Sequence, residues 1–220
     1  MAFYTKTLGV LANSCKHNGR CVAGKELSAN QLGAWVRPTS NHPNGELHAF
    51  DQRLVGGGQL ALLDVVDVPL SLPAPNGFQS ENHQLAPGTS WVKRGRLDWA
   101  ALGQAVDLCE TLWLNGYSSG GGGNDRVPAE RVAELDSSLL LIGPLCVDLH
   151  VLGNRVRARF VHRGTVYNLS VTDPLIKAFY AQLADGWYRL DEVFLCVSLA
   201  PVWNGYAYKL AAAIIHRNAD

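Results

Sequence analysis

Polar and apolar residues alternate along RVRARFVHRGTVYNLSVT, residues 155–172. A period of two is typical of β-strands with one buried face, and Arg163 with Gly164 suits a two-residue hairpin turn. The predicted buried face consists of Val156, Ala158, Phe160, Tyr167, Leu169 and Val171, and the predicted open face of Arg155, Arg157, Arg159, Asn168, Ser170 and Thr172. A slip by one residue would bury the arginines, so the pattern specifies the register.

Further strands surround this hairpin and predict a barrel over residues 136–220. We predict the strands LLLIGPLCVDLHVL, RVRARFV, TVYNLSVT, EVFLCVSLA and AYKLAAAIIH, with a helix in DPLIKAFYAQLADG between the third and the fourth. Asp173 is suited to cap that helix, and Pro174 fits its first turn. Three strands, a helix and two strands is the order of an OB-fold, a five-stranded barrel.

Residues 1–114 show a similar but less regular pattern. It predicts the strands TLGVLANS, AWVRPTS and LALLDVVDVPL and a closing helix in DWAALGQAVDLCETLWL. We interpret this half as a second OB-like barrel with insertions. Between the halves, residues 115–135 begin with NGYSSGGGGND and predict a flexible linker followed by a short helix. The predicted fold class is mainly β, with two OB-like five-stranded barrels and a few short packing helices.

Composition limits the classes of function. The 220 residues are 47% hydrophobic, enough for a buried core, and 19 basic residues balance 19 acidic ones. Any attraction to nucleic acid must therefore come from a local patch. The first ten residues lack the pattern of a secretory signal, and no run reaches the roughly 18 apolar residues of a membrane helix. Together with five scattered cysteines, which fit reduced thiols, this predicts a cytoplasmic protein without a membrane partner.

Several phrases along the whole chain carry a family resemblance. They are SCKHNGRCVAGKEL, AWVRP with a downstream GEL, LLDVVDVPL, ENHQL, DSSLLLIG, DEVFLCVSLA and AYKLAAAII, in this order. The chain thereby resembles the prokaryotic dual OB-fold domain family. The resemblance implies two OB barrels, an association with prokaryotic defence systems and, by analogy of fold, a binding role for nucleic acid or a nucleotide. It implies no catalytic residues.

The arginines of the predicted hairpin are the first candidate binding site. Arg155, Arg157 and Arg159 share one face of the second barrel strand, and strands two and three form the usual oligonucleotide-binding face of an OB-fold. Their guanidinium groups suit phosphate oxygens, and Asn168 and Ser170 would add neutral hydrogen bonds. No aromatic residue is predicted on this face, although base stacking usually accompanies such charges. The alternative is a solvated face, or a row of arginines packed against acidic residues of the other domain.

A second basic group lies in a predicted loop. It combines Trp91 with Lys93, Arg94 and Arg96. In this arrangement a base would stack on the indole while the cations hold the backbone. The alternative is a solvated loop with a buried tryptophan, and complete burial of Trp91 would exclude the stacking site.

Trp35 and Arg37 form a third candidate, on a predicted strand of the first barrel. They share one face of that strand, and Val36 takes the other face. If Val36 points inward, the tryptophan and the arginine become an exposed platform for a base. Burial of the indole in the core is the alternative.

Residues 19–25, GRCVAGK, match the start of a phosphate-binding loop. Glu26 follows where such a loop has the serine or threonine that binds magnesium, so we do not predict an ATPase. A glycine-rich turn is the simpler interpretation, and Lys16, Arg20 and Lys25 would still make it an anion-binding loop.

Cys15, His17 and Cys21 lie close together, as zinc ligands can. A fourth ligand is not evident, and no carboxylate can be assigned to orient the histidine for catalysis. We therefore predict neither a metal nor another cofactor. The sequence favours a non-catalytic module that binds single-stranded nucleic acid or a nucleotide, and the resemblance implies a place in a prokaryotic defence system. The alternative is a scaffold of such a system that binds a protein partner.

Overall fold

β-Strands dominate the structure, a computed structural model in which residues 3–217 are described. Strands account for 52% of the chain and helices for 8%, which confirms the predicted mainly β class. The chain divides into two units, Met1–Ala105 and Val106–Asp220. The division precedes the boundary predicted at residue 115, because the segment after Ala105 packs with the second unit.

The first unit is a closed barrel. Its elements are β1 (Tyr4–Lys16), β2 (Gly19–Ser28), β3 (Gln31–Thr39), β4 (Asp64–Pro73), β5 (Asn82–Leu85), β6 (Val92–Arg96) and α1 (Trp99–Ala105). The strand order is β1-β2-β3-β5-β4, β1 also pairs with β4, and β6 adds to the other side of β4. Strands β3 and β5 are parallel, and the other neighbours are antiparallel. The predicted helix is correct only over α1, and the chain beyond it is not helical.

The first strand bends so that it can serve two neighbours. Residues 4–9 pair with β4, and residues 8–16 pair with β2. The backbones come close where the partners change, since a Cβ added to Gly24 would lie 2.3 Å from the carbonyl oxygen of Gly9. Glycine at this position therefore permits the closure.

The second unit has the strand topology of the first barrel, with additional strands and helices. Its elements are β7 (Arg126–Pro128), α2 (Ala129–Val132), β8 (Leu139–Ile142), β9 (Cys146–Leu152), β10 (Arg155–His162), β11 (Thr165–Val171), α3 (Pro174–Tyr180), β12 (Gly186–Asp191), β13 (Val193–Leu199) and β14 (Tyr206–His216). The sheet order is β12-β9-β10-β11-β14-β13-β8, and β7 also pairs with β14. Strands β11 and β14 are parallel, as are β3 and β5 in the first unit.

Two bent strands close this second ring. Asp191 lies opposite Cys146 between β12 and β9, and Leu195 lies opposite Ile142 between β13 and β8. The pairing of β12 with β9 continues in the same register as the pairing of β13 with β8. Strands β8 and β9 therefore act as one interrupted strand, and β12 and β13 act as another. Gly143 and Pro144 interrupt the predicted strand LLLIGPLCVDLHVL. Strand β12 was not predicted from the sequence.

The hairpin of β10 and β11 has the predicted register. Phe160 pairs with Tyr167, and Arg159 pairs with Asn168. Arg163 and Gly164 both have positive φ, at 48° and 77°, as a two-residue turn of this kind requires. All six side chains predicted for the inner face are buried in the core of the second unit.

Helix α3 begins at the predicted cap. One carboxylate oxygen of Asp173 accepts hydrogen bonds from the backbone N–H groups of Leu175 and Ile176, at 3.0 and 3.2 Å. The other oxygen accepts from the N–H of Ile214 in β14, at 3.1 Å. One buried side chain thus starts the helix and holds it to the barrel.

The glycine-rich segment is not a free linker. We call residues 116–125 the glycine strap, because they lie along β11. Gly123 and Asn168 exchange two backbone hydrogen bonds of 2.9 and 3.2 Å, and the side-chain amide of Asn124 donates to the carbonyl of Val166 at 3.0 Å. The prediction of a flexible linker is therefore wrong, since this edge of β11 offers the strap backbone partners.

A buried carboxylate anchors the strap. Asp125 is 4% exposed and accepts hydrogen bonds from the N–H and hydroxyl of Ser119, at 2.7 and 2.6 Å, and from Arg157 at 3.2 Å. Beside it, the ammonium of Lys209 is almost fully buried and donates to the carbonyl of Leu114 at 2.6 Å. Burial lowers the pKa of Lys209 to about 7, although the Asp125 carboxylate acts in the opposite direction.

Substitution of Gly122 should detach the strap. A Cβ at this position would lie 1.7 Å from Oδ2 of Asp125, whereas a Cβ at Gly120 would meet open space. We expect Gly122→Ala to lower the free energy of unfolding by roughly 1–3 kcal/mol, measured by urea denaturation, and to increase hydrogen exchange at the Asn168 amide. Gly120→Ala is the matched control, and equal effects of the two variants would contradict the anchoring role of Asp125.

The buried Lys209 should make stability depend on pH. Between about pH 7 and its ordinary pKa of 10.5, this lysine is neutral in the folded protein and charged in the unfolded chain. The unfolded chain then binds more protons, so the contribution of Lys209 to the free energy of unfolding rises with pH in this window, by about 1 kcal/mol per pH unit. Below pH 7 both states are charged, and the contribution stays at its minimum.

The measurement is urea denaturation of the wild type and of Lys209→Met at several values from pH 6 to pH 10. The variant should show the smaller rise of stability with pH. The same slope in both proteins would show that Lys209 is charged in the folded state throughout this range.

Candidate nucleic-acid interface

Four neighbouring strands of the second unit build one continuous surface. We call the outward side chains of β12, β9, β10 and β11 the outer face. The pairing aligns them in rows, of which one contains Trp187, His150, Arg157 and Ser170, and the next contains Arg189, Asp148, Arg159 and Asn168. In an OB-fold, this part of the barrel is the usual ligand-binding side.

The three predicted arginines differ in their surroundings. Arg155 and Arg159 are exposed, and neither has a side-chain hydrogen bond or ion pair within residues 3–217. Arg157 is half-buried and donates to Asn168 O at 2.6 Å, to Ser170 Oγ at 3.0 Å and to Asp125 at 3.2 Å. Arg157 therefore binds the strap, and its two neighbours remain available to a ligand.

The predicted polar partners are also engaged by the protein itself. The amide of Asn168 donates to the carbonyl of Gly121 at 3.1 Å, and the hydroxyl of Ser170 accepts from Arg157. The central arginine is thus packed against an acidic residue, but Asp125 belongs to the strap of the same unit and not to the other domain, as that alternative had it.

The outer face contains an aromatic pair that the sequence did not predict. The indole of Trp187 stacks on the imidazole of His150, with ring centroids 4.4 Å apart and planes 13° from parallel. Trp187 is 55% exposed, so more than half of its surface stays accessible although one ring face stacks on His150. The signal was the alternation in GWYRLD, which places Trp187 and Arg189 on one side of a strand.

The charges on the outer face are mixed. Arg189 pairs with Asp191 at 3.0 Å, and Asp148 lies between Arg189 and Arg159 in the strand register. Arg155 and Arg159 supply the positive charge that lacks an ion-pair partner within the described residues. Electrostatic attraction at this face is therefore local and limited to a few cations.

A cavity of about 740 Å³ adjoins the outer face at Arg159. Leu108 and Leu145 line it and are 92% and 94% exposed, and Val161 and Val166 add further exposed apolar surface. Apolar surface of this kind is typical of sites that bind another molecule.

The basic group around Trp91 does not form a stacking site. Trp91 is fully buried in the core of the first unit, which excludes the predicted contact with a base. Lys93 and Arg94 lie on β6 and pair across to Asp64 and Asp67 of β4, both at 2.6 Å. Arg96 is exposed on the same strand.

The predicted platform of Trp35 and Arg37 is also wrong. Val36 does point inward, but Arg37 is only 3% exposed and pairs with Glu81 at 3.0 Å. Trp35 is half-buried, with the ammonium of Lys25 5.4 Å from the centre of its ring. Because β3 pairs with β5 on its second side, Glu81 lies next to this arginine and buries it.

Residues 19–25 form part of strand β2 and not a phosphate-binding loop. Lys25 is buried and donates to the carbonyl of Ala105, the last residue of α1, at 2.7 Å, so the prediction that it binds an anion is wrong. Burial lowers the pKa of Lys16. Arg20 lies 3.5 Å from the sulfur of Cys15.

All five cysteines are free thiols. Within residues 3–217, no three His, Cys, Asp or Glu side chains cluster as ligands for a metal ion. The same part of the chain contains no helix with the length and apolar character needed to span a membrane.

Comparison with known proteins agrees with the barrel topology. No curated protein matches the chain. A family model described as dual OB-containing domain matches residues 6–214, nearly the whole sequence. The topology of two successive barrels, each with parallel third and fifth strands, is the arrangement that this description names. The chain therefore belongs to the dual OB-containing domain family.

Proposed function

We propose that this protein is a non-catalytic module that binds single-stranded nucleic acid or a nucleotide through the outer face of its second barrel. The observation that carries the proposal is the pair Arg155 and Arg159, which are exposed and have no ion-pair partner among the described residues. They lie on β10, the second strand of the ring, where OB-folds usually contact oligonucleotides.

Arg155 and Arg159 would contact phosphates, while Arg157 between them holds β10 to β11 and to the glycine strap. Alternate side chains of a strand repeat at roughly 6.6 Å, so Arg155 and Arg159 are separated by roughly 13 Å along β10. Each guanidinium can form charge-assisted hydrogen bonds to phosphate oxygens. The middle position is held by Asp125, so two phosphate contacts are the number that this strand offers.

We also propose where this protein acts in the cell and to which system it belongs. A cytoplasmic location and a place in a prokaryotic defence system are parts of the proposal that rest on the sequence pattern and the resemblance.

A protein partner is the second candidate. The exposed leucines 108 and 145 favour it, because they line one cavity beside the outer face together with Val161 and Val166, and grouped apolar side chains mark interaction sites. A protein that used this apolar surface would bind with weak dependence on salt, whereas nucleic acid would bind with strong dependence.

Removal of the two free arginines should weaken binding to nucleic acid. We expect Arg155→Gln with Arg159→Gln to lower the affinity for a single-stranded oligonucleotide by about 10-fold or more, because two charge-assisted contacts are lost. The slope of log affinity against log salt should fall by about 1.4, since each phosphate contact on a single strand contributes about 0.7. Fluorescence anisotropy over a series of salt concentrations measures both quantities.

The control is Arg131→Gln with Arg217→Gln, which removes the same charge from the second unit at two exposed positions paired with Glu134 and Glu192. This control should keep the affinity and the slope of the wild type. Equal losses in both double variants would assign binding to net charge and not to the outer face, and no binding at low salt would favour the protein partner.

A further inference from the structure

We infer that Trp187, supported by His150, is a base-stacking platform that makes the outer face bind unpaired bases, and therefore single-stranded nucleic acid in preference to a duplex. This inference rests on the proposed function. It adds a contact to the bases that the arginines alone do not provide, because arginine contacts to phosphate carry no information about pairing.

The indole of Trp187 is a preorganised stacking surface. One side of the ring stacks on His150 with the centroids 4.4 Å apart, and the residue is still 55% exposed, as an uncovered second side requires. A base placed on the open side would become the third layer of a stack that already has two. Because the imidazole already restrains the indole, less side-chain freedom is lost on binding.

The platform lies where a bound strand would pass. Trp187 shares a row with His150 and Arg157, and the free arginines 155 and 159 lie one row to each side on β10. A strand whose phosphates contact these arginines would have a base within reach of the indole. Stacking on an aromatic residue is tolerant of sequence, since every base has a flat face.

A duplex does not offer this contact. Its bases are paired and stacked on each other, so a base reaches the indole only after the pair is opened. The inference therefore predicts that the indole contributes to single-strand affinity and not to duplex affinity.

Three DNA ligands of equal length separate these contributions. They are a labelled 12-nucleotide deoxythymidine strand, a 12-unit abasic strand that keeps sugar and phosphate, and a 12-base-pair duplex. In fluorescence anisotropy, the wild type should bind the thymidine strand about 5- to 150-fold more tightly than the abasic strand, the range found when alanine replaces one stacking aromatic residue. This comparison uses the wild type and does not depend on a variant that folds.

Variants then assign the difference to the indole. Trp187→Ala should lower affinity for the thymidine strand by the same 5- to 150-fold, leave affinity for the abasic strand and the duplex unchanged, and keep the salt slope. Trp187→Phe should keep part of the affinity because it keeps a flat ring. His150 is a positioning residue, so His150→Ala should weaken single-strand binding and His150→Phe should restore it.

Trp203→Ala is the matched control. Trp203 is also exposed and lies between β13 and β14, outside the strands of the outer face, so this variant should bind like the wild type. Circular dichroism of each variant shows whether the barrel is retained.

The outcomes distinguish the two proposals. Salt-dependent binding that needs Arg155 and Arg159, but is equal for thymidine and abasic strands, would overturn the platform and leave the proposed function intact. Equal weakening of all three ligands by Trp187→Ala would also overturn the platform, because the indole would then only support the sheet. Absence of binding to all three ligands at low salt would overturn the platform together with the proposed binding of single-stranded DNA.

Discussion

Closure of a five-stranded ring requires the first strand to pair on both sides, and each unit meets this requirement by bending that strand. In the first unit a single strand changes partners at Gly9, where the neighbouring strand has a glycine as well. In the second unit Gly143 and Pro144 divide the strand, and the opposite strand is divided at the same level. The bend brings β12 beside β9, and this placement widens the outer face to four strands.

The hairpin could be predicted in detail because its information is local. Alternation specifies which side is buried, and Arg163 with Gly164 specifies the turn, so the register followed from 18 consecutive residues. The order of elements around the hairpin predicted the OB-fold of the second half, whereas in the first half β2, β5 and β6 were not predicted as strands. The cap at Asp173 belongs to the same class of local signals.

The errors concern charged and aromatic residues whose partners are distant in sequence. Lys25 is buried because α1 ends beside it 80 residues later, and Arg37 is buried because Glu81 lies against it. Trp91 is buried in the core of the first unit, although its segment was predicted to be a loop. No local pattern marks such residues. A buried lysine and an exposed lysine can have the same kinds of neighbours in sequence, because the partner that buries the first one lies far along the chain. The same reason separates Arg157, which is held by Asp125, from the otherwise equivalent arginines on either side.

The strap has a consequence for the behaviour of the protein at high concentration. Strands β11 and β14 pair only at Ser170 and Val171, so the earlier residues of β11 have no hydrogen-bonding partner in β14. Without the strap, the barrel would have a gap between these two strands. Gly123 pairs with Asn168 on one side of this opening, and residues 126–128 pair with β14 on the other. The chain thus seals two strand edges that would otherwise present unpaired N–H and C=O groups to a second molecule. A segment with the composition of a spacer thereby protects the folded protein from strand exchange and aggregation.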